Sequence, residues 1–242
     1  AGSAEGAIAS DHSANSAILD SAQSLSYKFL HDRIQQAAYA LIAEDQRQAV
    51  HLSIGQRLLA TTSEVERAER LFEIVNHLNV SHELMAPPEQ LELAQLNLQA
   101  GQKAKASTAY GAAVDYFKAG VSLLSAESWK TRYTLMLAIH TEAAEAAALN
   151  TDFEGMEQWA AQVLIHAQTF LDTIKIQKTQ LLGKKAQGDL FGALQIGRQA
   201  LATLGISFPD EPTQTDINNS FSLTRQLWAK REPLSLLDLP AM

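Results

Sequence analysis

Leu25, Tyr27 and Phe29 alternate with Ser24, Ser26 and Lys28, a period of two that predicts one short strand. From Asp32 the period lengthens. Ile34, Ala37, Ala38 and Leu41 recur at helical spacing, and Asp32 is placed to cap the first turn. A second helix is expected over 44–59, with Val50, Ile54 and Leu58 on one face. A third is expected over 64–78, with Val65, Ala68, Phe72 and Val75 aligned. Pro87 and Pro88 suit the first turn of the next helix, where a missing N–H costs nothing, and mark a boundary.

Beyond that boundary the helical segments come in pairs: 89–105 with 108–124, 128–149 with 153–171, and 173–187 with 190–204. Ala113, Phe117 and Gly120 share one face of the second helix of the first pair, and Gly101 and Ala104 sit at matching positions on its partner. Small residues in such slots let two backbones approach closely, with Phe117 filling the space between layers. Asp152 and Asp189 each stand just before an apolar helix start, so the turns of the second and third pairs are expected to be alike. The corresponding slots at Ala113, Met156 and Ala193 are unevenly spaced, and both gaps exceed the roughly 34 residues of a regular helix-pair repeat. Gly205 is a helix stop, Pro209 and Pro212 make a turn, and 216–230 reads as one more amphipathic helix through Ile217, Phe221 and Trp228. The apolar end, 234–242, reads as a chain that continues.

Composition narrows the function. Apolar residues make up 46% of the 242 and aromatics only 7%, so the core must be largely Ala and Leu, as in closely packed helices. A net charge of −8 argues against nucleic acid or an anionic membrane as partner, since both need clustered Lys and Arg. The lack of cysteine excludes disulfides and thiol catalysis and fits a cytoplasmic protein. No segment is long and apolar enough to span a membrane, and no signal peptide is recognisable. The sequon at Asn79 therefore carries little meaning.

The paired helices with their small-residue slots resemble a tetratricopeptide repeat array. A second resemblance is more specific. The run from Tyr27 through Lys28, Phe29, Leu30, His31, Asp32, Arg33, Ile34, Gln35, Gln36, Ala37 and Ala38 to Tyr39, with Arg47, His51, Leu52, Ile54 and Gly55, resembles the segment that follows the nucleotide-binding core of STAND-class signalling ATPases. In particular it looks like large bacterial, especially cyanobacterial, serine/threonine and histidine kinases that carry a predicted AAA-type ATPase. The stretches 71–78, 109–124 and 140–147 look like the same family. That resemblance implies a winged-helix element handing over to a helical repeat region, ahead of GAF and histidine-kinase modules. It also implies that the enzymatic parts lie elsewhere: no GxxxxGK[ST] loop occurs, Gly183-Lys184-Lys185 lacks the upstream glycine, and no kinase signature is visible.

Chemistry-bearing residues are sparse. His31-Asp32 could begin a metal-binding dyad, but a helix-start cap is the simpler reading. His77 and His82, five apart, do not share a helical face. His51 and His140 border apolar stripes and read as buried, hydrogen-bonded imidazoles. The mixed charges at Glu64, Glu66, Arg67, Glu69 and Arg70 read as solvated surface, and Tyr110, Tyr116 and Phe117 as core rather than a ligand box. If the first helix of each pair lines a groove, Gln95, Gln102, Lys105, Thr141, Glu145, Lys178 and Lys185 face it, and such a polar groove suits an extended peptide or a neighbouring domain.

The resulting expectation is an all-α, tetratricopeptide-like antiparallel helix-pair solenoid with a short strand and winged-helix remnant near its start. Residues 1–23 are a flexible linker, 24–86 the winged-helix remnant and the helices leading into the array, 87–205 the array, and 206–242 a turn, an extra helix and a truncated tail. Its role would be a non-catalytic scaffold and signal relay within a multidomain kinase, with no cofactor, no metal and no catalytic residue. The alternative is an independent peptide-binding adaptor.

Overall fold

A computed structural model describes residues 32–209 and 211–229. Every element among them is helical, and no strand occurs there. The expectations for the linker, the strand at Leu25 to Phe29, His31, the side-chain cap at Asp32 and the apolar tail lie outside what is described. The chain divides after Gln48 into two units. The first contains α1 (Asp32–Ala40) and the opening of α2 (Glu44–Thr61). Within it the Arg47 guanidinium lies 5.3 Å from the Tyr39 ring centre and pairs with Glu44 at 3.3 Å. The expected α1 stripe is not a buried one: Ile34 and Leu41 are exposed, and Leu41 lies beyond the end of the helix.

In the second unit, the buried face of α2 is turned from the expected one. Ile54 is exposed, while Gly55 is buried and Leu52, Leu58 and Leu59 pack on the core. A Cβ on Gly55 would lie 2.5 Å from Leu78 Cδ2, so glycine is what admits that leucine. The single helix expected over 64–78 is two, α3 (Glu64–Glu69) and α4 (Leu71–Val80), broken at Arg70. Ser63 and Glu66 form a capping box that starts α3, and Arg70 grips Glu73 with two bonds of 2.9 and 3.0 Å across the break. The break re-aims the apolar stripe: Val65 is exposed, whereas Leu71, Ile74, Val75 and Leu78 are buried. They pack with Leu93, Leu96 and Ala100 of α5 (Pro87–Ala106), which begins at the proline pair. Buried Asn97 of α5 and Asn79 of α4 exchange amide bonds of 2.8 and 2.9 Å, which satisfies the polar atoms between these helices.

Six further helices continue the chain: α6 (Tyr110–Ser122), the single-turn α7 (Ser128–Thr131), α8 (Tyr133–Leu149), α9 (Phe153–His166), α10 (Phe170–Ala186) and α11 (Leu190–Thr203). The segment expected to run unbroken over 128–149 is interrupted at Arg132. The one expected over 153–171 stops at His166, because Thr169 and Asp172 form a capping box that starts α10 early. After a turn, α12 (Gln214–Ala229) follows, with no buried residue.

One turn recurs three times between paired helices. Thr108, Thr151 and Gly188 are left-handed, at φ of 61°, 61° and 79°. Each is followed by an N–H that reaches back five residues: Ala109 to Ala104, Asp152 to Ala147 and Asp189 to Lys184, all at 2.9 Å. This is the Schellman closure of a helix end. Asp152 and Asp189 then cap the next helix as expected, accepting from the N–H groups of Gly155 and Gly192. Ala113, Met156 and Ala193 each come five residues after the left-handed position and all are buried, so the uneven spacing reflects helix length rather than a lost register.

The three turns join α5 to α6, α8 to α9 and α10 to α11, and the first helix of each pair also contacts that of the next, α5 with α8 and α8 with α10. Phe117 is fully buried against Gly101, where a Cβ would overlap its ring, and a Cβ on Gly120 would lie 3.3 Å from Asn97 Cβ and 3.4 Å from the Ala94 carbonyl oxygen of α5. Ala143, Ala144, Ala146 and Ala147 are all inaccessible, so α8 is enclosed along most of its circumference and needs small side chains.

Candidate functional site

The first helices of the three pairs carry a line of charge. Lys105 near the end of α5 reaches both Glu142 and Glu145 of α8 at 2.5 Å. Lys175 of α10 reaches Glu142 at 2.6 Å and Glu145 at 3.6 Å. Glu142 and Glu145 are three apart on one helix and so point the same way. Two carboxylates thus sit between two ammonium groups, and one ion network ties together three helices from three successive pairs.

Burial works against charge on both central groups, and here the partners outweigh it. Burial pushes Lys105 down, but the hydrogen bonds to Glu142 and Glu145 hold its pKa above the ordinary lysine value. Burial likewise raises Glu142, while the bonds from Lys105 and Lys175 bring it below the ordinary carboxyl value. Both groups therefore remain charged at neutral pH.

Beside the network lies a recess of about 250 Å³ lined by α8, α10 and Phe153 of α9. Ala148, Leu149, Phe153, Leu182, Gly183 and Ala186 give it apolar walls, and Glu145, Lys175 and Lys178 stand among its polar members. A Cβ on Gly183 would lie 2.7 Å from the Met156 sulfur, so any side chain there requires Met156 to move. The arrangement can hold a small apolar side chain and meet an adjacent charge with Lys178. It offers no nucleophile with a base beside it, and among the described residues no group of three or more metal-ligating side chains occurs.

Of the seven residues expected on this face, the structure brings Lys105, Glu145 and Lys178 together. Lys185 is exposed and, seven residues after Lys178, lies on the same side of α10. Gln102 is exposed on α5. Gln95 instead lines a separate recess with Glu64, Arg67 and Leu71, so it faces α3 and α4. Thr141 is only 6% exposed and does not present its hydroxyl to a groove, because the alanine-rich α8 is enclosed by its neighbours there. Sequence reasoning missed Glu142 and Lys175. The i,i+3 spacing of Glu142 to Glu145 was a usable signal, whereas Lys175 gave none.

Other side chains resolve as structural. Tyr116 donates to Asn76 Oδ1 at 2.9 Å and stacks on Phe72, while Tyr110 is half-buried and Phe117 is core. His77 and His51, remote in sequence, meet with their Nδ1 atoms 2.9 Å apart, so one proton between them makes a hydrogen bond and two would repel.

Over 146 aligned residues the chain is 33% identical to a hybrid signal transduction histidine kinase, kinase G of Dictyostelium discoideum; the match covers half of this chain and 4% of that protein. The chain thus spans a small fraction of the length of this curated relative, and it resembles a portion of a signal-transduction kinase. No established protein family matches the chain, and no solved structure matches it. Among the described residues no helix is long and apolar enough to cross a membrane.

Proposed function

We propose that this chain is a helical-repeat scaffold and relay region of a multidomain signalling protein of the STAND type, with its ATPase and kinase parts elsewhere. In this reading the helix pairs stack as a tetratricopeptide-like solenoid, and the first helices line the face that meets a neighbouring domain. The observation that carries it is the ion network through Lys105, Glu142, Glu145 and Lys175, which joins first helix to first helix to first helix beside an apolar recess. Such a face fixes the relative position of successive pairs and offers pockets for an extended segment. The likeness to part of a signal transduction histidine kinase supports the signalling context. The region works by binding and has no catalytic role.

Lysine footprinting tests it. Lys178 and Lys185, both exposed in this stretch, should be modified several-fold more slowly in the full-length protein than in residues 1–242 alone. Equal rates in the two would remove the interdomain reading. Protection that appears only when a separate protein is added would favour the adaptor instead.

A further inference from the structure

The face of α8 opposite the ion network borders a different kind of site. Met136 and His140 point one way from the helix and Glu142 and Glu145 roughly the other, as about 100° per residue requires. On the Met136 and His140 side, α6, α7 and α9 complete a cavity of about 450 Å³. Its aromatic members touch one another. Trp129 lies parallel to His166 with ring centres 4.3 Å apart, His140 is 4.8 Å from Trp129, and Trp159 meets His140 edge-on at 5.2 Å.

Both imidazoles are held in one orientation. His140 Nδ1 lies 2.8 Å from the Met136 carbonyl and His166 Nδ1 2.9 Å from the Gln162 carbonyl. A carbonyl can only accept, so the proton sits on Nδ1 and the Nε2 atom of each neutral ring carries a bare lone pair. No lysine, arginine, aspartate or glutamate lines the cavity. The wall therefore combines the half-buried Trp159 indole, whose face is negative at its centre, with imidazole acceptors backed by the buried Trp129, and no Lys or Arg lining the cavity competes for them.

We propose that this cavity binds a small planar organic cation bearing N–H donors, of the amidinium or aryl-ammonium class. Such a ligand places its ring on the indole surface, its charge where the ring quadrupoles favour it, and its N–H groups on His140 and His166. An anion would face lone pairs and π-clouds. An uncharged ring would stack but forgo the charge term. The net charge of −8 adds a favourable long-range field for a cation.

Protonation of the imidazole nitrogens that accept from the ligand must oppose binding. The titratable side chains lining the cavity are His140 and His166. Around Trp129, Glu127 and Lys130 pair with each other, and Tyr133 donates to Asp172. Burial, and to a lesser extent the neighbouring His166, hold His140 below the usual imidazole pKa despite the Met136 bond, so it is neutral at neutral pH.

Benzamidinium and its uncharged isostere benzamide are the probes. Of the three tryptophans, Trp228 lies outside the cavity, so Trp228→Phe leaves fluorescence only from Trp129 and Trp159. In that background benzamidinium should quench saturably at about pH 7.5, with affinity of roughly millimolar order for so small a ligand, and benzamide should bind about tenfold more weakly. Affinity should fall on acidification, as His140, held below the usual imidazole pKa, takes up its proton. Trp159→Leu should lose the site while keeping its helical circular dichroism. If that variant fails to fold, His166→Ala, at a half-buried position, should weaken benzamidinium more than benzamide. Equal affinity for the two probes, no saturable change with benzamidinium, or tighter binding in acid would each overturn the proposal.

Discussion

Thr108 and Thr151 occupy a backbone conformation in which a β-branched side chain is costly, while Gly188 fills the same position of the third turn at no such cost. Nothing lies within 4 Å of a Cβ built on Gly188, so the penalty there is purely conformational. Thr151→Gly should therefore stabilise by about 0.5–1 kcal/mol after the extra entropy of an unfolded glycine is deducted, and Gly188→Ala should destabilise by about 1 kcal/mol. Urea midpoints of the two variants should move in opposite directions; a parallel shift would contradict the shared turn. Gly101 is small for a different reason, the Phe117 ring over it. Gly101→Ala should cost about 1–3 kcal/mol, and Gly120→Leu a similar amount or more. The control, Gly111→Ala, meets nothing nearer than 3.7 Å and should be neutral or slightly stabilising.

Among elements, α8 is the helix on which the others depend, because it contacts α5, α6, α9 and α10 and holds the carboxylates of the network. Glu142→Gln leaves Lys105 with Glu145 as the one carboxylate of the pair, at a site where the lysine side chain is only 19% exposed. The expected loss is about 1–2 kcal/mol, below that of a fully buried pair because solvent reaches Lys175. The pH dependence follows from the two shifts. Glu142 lies below the ordinary value of 4.5, so its contribution is complete above that pH and fades as pH falls through its lower folded value. Lys105 lies above 10.5, so its contribution is complete below that value and is lost only as pH rises further. Melting temperatures of the wild type and Glu142→Gln should thus differ by a constant amount across the neutral range and converge in acid. A gap that does not narrow at all as pH falls below the ordinary carboxyl range would rule out the ion network as its cause.

At the scale of the whole molecule, the absence of a phosphate-cradling loop from the sequence leads to a plain expectation. Mg-ATP in large excess should leave the melting temperature of residues 1–242 unchanged, since even weak binding to the folded state would raise it. A shift of a few degrees would mean that a nucleotide site exists without the usual loop, and the non-catalytic reading would then fail.

Local rules in the sequence determined a good part of this protein. The helical segments from Pro87 onward, the proline start of α5 and the aspartate caps of α9 and α11 depend on interactions within one or two turns, and those are written in neighbouring residues. Where two local signals compete, the sequence alone was ambiguous: the capping box at Thr169 set a helix boundary that hydrophobic periodicity ran across. Periodicity names a stripe, but the direction in which that stripe turns depends on what stands opposite. Tertiary packing exposed Ile54 and Val65, enclosed Thr141, and turned Gln95 toward α3 and α4. It alone joined Lys105 to Glu142 and Lys175, and Trp129 to His140, Trp159 and His166, because these groups lie on different helices. Contacts between helices depend on register and rotation about each axis, and a few tens of degrees decide whether a side chain meets solvent, a partner charge or a ring.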